Sequence, residues 1–138
     1  MEYSRLLCFQ YLYIYFDIRS LNLSPIVTVV EIKSYKFNES IYIKEKAWGL
    51  PADHQFIFVS KSPTKEFDPD TTQGLVFYGD SFFYKFVNDT LNLYVNKESP
   101  EPKDFKTSIK VNQINLTNSE LMDLWESYRA KGLKKFEH

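Results

Sequence analysis

The chain has 138 residues, a length that suits one domain, and 43% of them are apolar, enough to bury a core rather than remain disordered. Its 17 basic and 18 acidic residues leave a formal net charge of −1. That balance speaks against nucleic acid as a partner, because phosphate binding draws on a basic excess that releases counterions. The single cysteine, Cys8, excludes an intramolecular disulfide and a cysteine-based zinc site.

Residues 1–24 form an N-terminal segment with an apolar run at 6–16, LLCFQYLYIYF, broken only by Gln10. The run is too short to span a bilayer, which needs ~20 apolar residues. It also makes a poor signal peptide, since Glu2 offsets Arg5 and no small-x-small cleavage site follows. A degenerate targeting segment, a first strand and a helix packed on a sheet stay open. The alternation of Tyr11, Tyr13 and Tyr15 with Leu12, Ile14 and Phe16 favours the strand. Apolar on both faces, such a strand would be buried on both sides or would belong to a homo-oligomer. Membrane association through this segment stays open too. The location is then the cell envelope or beyond if the N-terminus is incomplete, and the cytoplasm otherwise.

The remaining residues, 25–138, read as one β-rich domain. Aromatics reach 17%, with 12 Phe and 10 Tyr, and such side chains fit a pleated, half-buried surface. Pro25 opens a β-branched strand over 26–32. A turn at Asn38-Glu39 leads into a half-exposed strand over 40–46, with Ile41 and Ile43 pointing one way and Tyr42 and Lys44 the other. Gly49 and Pro51 end it, and Trp48 with Leu50 is expected to plug the end of the core. Residues 56–59 are apolar on both faces, which predicts a central strand. The stretch 60–73, SKSPTKEFDPDTTQ, is the longest polar one, and a loop of this length in a small domain is a mobile or a functional excursion.

Residues 74–96, GLVFYGDSFFYKFVNDTLNLYVN, predict a three-stranded meander with turns at Gly79-Asp80 and Asn88-Asp89, residue types that tolerate the positive φ of tight turns. Both faces of its middle strand are greasy, with Phe82, Tyr84 and Phe86 opposite Phe83 and Val87. The second face therefore needs a cover, either the C-terminal helix or the N-terminal run. A second polar loop at 97–106 contains Pro100 and Pro102. In the strand that follows, 107–116, the break in phase between Val111 and Ile114 suggests a β-bulge at 112–113. Thr117 and Glu120 then form a capping box for a helix at about 118–131, with an apolar stripe of Leu121, Leu124, Trp125 and Tyr128. Gly132 supplies a left-handed C-cap and Leu133 its apolar contact.

Little of this sequence points to chemistry. Asp53-His54 could make a proton-transfer couple, but adjacent residues on a strand point apart and no serine lies in a nucleophile motif. A hydrolase using His54 therefore ranks third among the functional readings. Glu66, Asp68 and Asp70 could suggest calcium, yet their spacing matches no calcium loop and Pro69 restricts the backbone, which favours a turn. No metal site and no cofactor motif emerges. Clustered aromatics at strand spacing read first as core and second as the lining of a ligand cavity.

Three segments, AWGLPADHQFIFVS (47–60), LVFYGDSFFYKFVNDTLNLYV (75–95) and IKV (109–111), carry a resemblance to small β-rich proteins of Bacteroidetes-type bacteria, often exported or lipid-anchored. The resemblance implies an envelope-associated protein and brings no catalytic residues. The N-terminus departs from it, for no proper export signal is visible.

The resulting expectation is a mainly β domain: an antiparallel sandwich, or a small barrel, of seven to eight strands with one C-terminal helix. The favoured function is a non-enzymatic binding or structural module for a protein or small ligand. Its expected surface is built from Trp48, His54, Phe67, Asp68 and Asp70. The alternative is a carrier of small apolar ligands with a lipocalin-like barrel.

Overall fold

Eight strands and one helix occupy the residues that the computed structural model describes, 25–48, 54–66, 70–79 and 82–136. The first sheet takes β1 (Ile26–Ser34), β2 (Glu39–Trp48), β3 (His54–Ser60) and β4 (Leu75–Tyr78) in chain order, each antiparallel to the next. The second holds β5 (Phe82–Val87), β6 (Thr90–Val95), β7 (Lys110–Asn115) and β8 (Lys134–Lys135) in the order β7-β6-β5-β8. Helix α1 spans Asn118–Ser127. Both sheets stay open, so the architecture is a sandwich and the barrel alternative is not what forms.

Period-two alternation puts one face of each sheet into a shared core. Ile41, Ile43, Ile57, Val59, Leu75 and Phe77 come from the first sheet; Phe82, Tyr84, Leu91, Leu93 and Val95 come from the second. β3, one of the two inner strands of the first sheet, is buried on both faces, as its unbroken apolar run predicts. Its outer-face residues Phe56 and Phe58 form a separate small cluster with Val76.

The stretch 74–96 does not fold as one meander. Its last two strands make a hairpin on Asn88-Asp89, with φ of 50° and 53°, but β4 pairs with β3 and β5 pairs with β6. The chain therefore crosses between sheets after Gly79 (φ 102°). The crossing sets Phe77 and Phe82 against each other across the core at 5.3 Å between ring centroids. Turn-forming residues mark a change of direction; which sheet receives the next strand depends on where its apolar face finds a partner.

The bulge expected at 112–113 is also absent. β7 runs parallel to β6 in unbroken register from Thr90↔Lys110 to Val95↔Asn115. The apparent phase break has another cause. The Gln113 amide pairs with the backbone of Ser99, accepting from its N–H at 2.7 Å and donating to its carbonyl at 3.0 Å. A polar residue thus takes a core-phase position and pins the 97–106 loop.

The helix covers the outer face of the second sheet. Leu121, Leu124, Tyr128 and Leu133 enclose Phe83, which has no exposed surface. Thr117 and Glu120 make both halves of the capping box. Regular helix ends at Ser127, four residues before the expected limit, and a hydrogen-bonded turn carries the chain on to Gly132. Gly132 is left-handed at φ 71°, and the Leu133 N–H donates to the Tyr128 carbonyl at 2.8 Å, the closure that a left-handed C-cap makes.

Polar ties fasten the two sheets at the end that carries the β1–β2 and β5–β6 turns. The Ser34 hydroxyl donates to the Asp89 carboxylate at 2.6 Å. Glu39 accepts from Thr107 Oγ1, from the Ser108 N–H and from the Ser108 hydroxyl, each at 2.9 Å. The Ser108 N–H and the two hydroxyls hold the Glu39 carboxyl below its ordinary value of 4.5. A lowered carboxylate contributes stability that is present above the unfolded-state value and is lost as pH falls through the folded one. Glu39→Gln should therefore flatten the acid limb of the stability profile below about pH 5 and speed amide exchange at Ser108. An unchanged acid limb would show that this tie does not bear on stability.

Candidate functional site

The residues named from the sequence divide between the two ends of the first sheet. Trp48 pairs with His54 where β2 ends and β3 begins. The 61–73 loop leaves β3 at its other end, about 20 Å away for a seven-residue strand. Trp48 is 40% exposed and, in phase with Lys44 and Lys46, lies on the outer face of β2, so it does not plug the core. Leu50, Asp53, Phe67 and Asp68, and with them every expectation for residues 1–24, lie outside the described residues. Asp70 accepts from the N–H and the hydroxyl of Thr72 at 2.9 and 2.8 Å, an Asp turn that shapes its own loop. Those bonds hold its carboxyl below the usual carboxylate range.

The two proline-containing polar loops meet. The Asp104 N–H donates to the Thr72 carbonyl at 2.6 Å, the Lys61 ammonium to the Lys106 carbonyl at 2.8 Å, and the Val76 N–H to the Ser99 hydroxyl at 2.9 Å. Gly74 makes the return of the first loop feasible. A Cβ there would stand 2.5 Å from the Phe58 ring and from the Val59 carbonyl oxygen, so a side chain would push the loop off β3.

Between these loops and the outer face of the first sheet lies an open cleft of about 610 Å3. Lys44, Phe58 and Ser60 line it from the sheet, Lys61, Ser62, Thr64, Glu66 and Gln73 from the first loop, and Asp104 with Phe105 from the second. On the other side of Phe105 a second cleft of about 900 Å3 runs along the 98–107 loop and β7.

Lys44 is the residue that sequence reasoning missed. Its alternation with Ile43 predicts a half-exposed face, yet only 1% of it is exposed. Its neighbours across the strands are Val29 and Phe58, so its stem rests on apolar surface. The ammonium makes no hydrogen bond to any described residue. Burial lowers its pKa from the ordinary 10.5, and the charge of Glu66 partly opposes that shift. One signal was available: Phe56 and Phe58 make the outer face of β3 apolar, and a lysine beside them on β2 shares that covered face.

Among the described residues no group of three or more His, Cys, Asp or Glu is arranged to hold a metal ion, and no helix is long and apolar enough to cross a membrane. Compared with protein-family models, with curated proteins and with solved structures, the chain finds no match.

Proposed function

We propose that the protein is a non-enzymatic binding module whose ligand seat is the cleft where the two proline-containing loops meet. The observation that carries this reading is the fastening of both loops around that cleft, through Asp104–Thr72 and Lys61–Lys106. Loops of this length are kept in small domains mainly for what they touch, and a cleft walled by tethered loops is organised before a ligand arrives. Its walls combine two Phe rings with hydroxyls and charges of both signs, the mixture that orients a small ligand. The carrier reading has weaker support, because the apolar faces of the two open sheets pack on each other.

The test is a fragment screen followed by amide chemical shifts. Shifts should cluster at 44, 58, 60–66, 73 and 104–105. Ser62→Trp, at an exposed position lining the cleft, should abolish them while leaving the thermal midpoint in place. Shifts clustered elsewhere, or untouched by the Ser62→Trp plug, would refute the assignment.

A further inference from the structure

Two donors on buried residues face the cleft, and neither donates to an acceptor among the described residues. The first is the Lys44 ammonium, which carries three N–H groups. The second is the Ser60 hydroxyl. Ser60 is 3% exposed; its oxygen accepts from the Ser62 N–H at 3.3 Å, while its own proton has no described acceptor. Tyr42 pairs with Ser60 and Lys44 with Phe58, so Lys44 and Ser60 are diagonal neighbours on one face, near enough to act on one group.

The Lys44 stem is buried and its ammonium meets solvent only through the cleft, and an ammonium with so little access to water and no acceptor is poorly solvated. Glu66 supplies some compensating charge from the loop, but no hydrogen bond. What the pair lacks is an oxyanion, and a planar carboxylate offers one oxygen to each donor. Glu66 and Asp104 also line the cleft and would repel a dianion more than a monoanion. The Phe58 and Phe105 rings provide apolar surface for the rest of the ligand.

We infer that Lys44 and Ser60 form a carboxylate socket, and that the cleft receives small monocarboxylates with an apolar body. The inference rests on the binding-module reading and adds to it the class of ligand.

The experiment uses the full chain and three probes: benzoate, its neutral counterpart benzyl alcohol, and inorganic phosphate. Titration is followed by amide and side-chain chemical shifts at Lys44, Phe58, Ser60 and Phe105. Benzoate should bind at least tenfold more tightly than benzyl alcohol at these residues. Lys44→Met should remove that advantage, and Ser60→Ala should reduce it several-fold. Ser60→Ala also serves as the second variant if Lys44→Met does not fold. Equal binding of benzoate and benzyl alcohol in the cleft would overturn the socket and leave the binding module standing. Full benzoate affinity in Lys44→Met would do the same. Phosphate binding more tightly than benzoate at these residues would overturn the monocarboxylate assignment. If no probe moves any cleft signal, the socket falls, and the module reading stands or falls separately by the fragment screen.

Discussion

Phe83→Ala is expected to cost about 3–5 kcal/mol, the range for removing a fully buried aromatic side chain. Phe83 is the point at which the helix docks. Its ring lies 5.7 Å from Trp125 in an edge-to-face arrangement and 5.4 Å from Tyr128, and Leu121, Leu124 and Leu133 close around it. Truncation leaves a cavity that the docked helix cannot refill without moving, because its capping box and its left-handed cap fix both ends. The helix has ten residues, too few to persist undocked in water. Loss of packing should therefore appear as loss of helix. The measurement is urea unfolding in a Trp48→Phe background, where Trp125 is the remaining tryptophan reporter. Phe83→Leu should be the milder change, since it keeps most of the apolar volume. A cost below about 1 kcal/mol for Phe83→Ala, far under the usual range for such a truncation, would mean that the sandwich stands without its helix.

Lys44→Met should raise stability at neutral pH by about 1 kcal/mol, the low end of the cost of burying a polar group without a hydrogen-bond partner. The low end applies because Glu66 already offsets part of the burial. The pH dependence separates this from simple packing. With the folded-state pKa lowered, the unfolded chain holds a proton that the folded chain releases between that value and 10.5. Stability of the parent chain thus rises with pH across that window, and the penalty is fully present below it. The Lys44→Met variant should lose the rise attributable to this group. Urea midpoints at pH 7 and pH 10 decide the matter. A variant less stable than the parent at pH 7 would show that the ammonium is satisfied within the fold, and the socket would lose its basis. Stability given up for a poorly solvated ammonium at a cleft wall is what a binding site, rather than a core, is expected to show.

Much of the fold is local and was therefore legible. The β-branched run of β1, the two-faced apolar run of β3 and the Asn88-Asp89 hairpin each follow from preferences that act within a few residues. The capping box and Gly132 act in the same way at the ends of α1 and its final turn. The candidate site was half legible. The two proline-containing loops stood out as long and polar, but nothing local says that Asp104 will reach Thr72 or Lys61 will reach Lys106. Trp48 and His54 looked like companions of the 60–73 loop because they are near in sequence; the length of β3 separates them.

The sequence by itself determined that this is a sheet protein with a capped C-terminal helix, because periodicity and turn chemistry are properties of neighbouring residues. Tertiary structure alone decided three things: that β4 and β5 part company into different sheets, that β7 lies parallel to β6, and that Lys44 is covered. Each depends on contacts between residues far apart in the chain. A strand carries its own pleat, but its neighbours and the cover over its outer face are chosen by the surface that the remainder of the chain leaves to be buried.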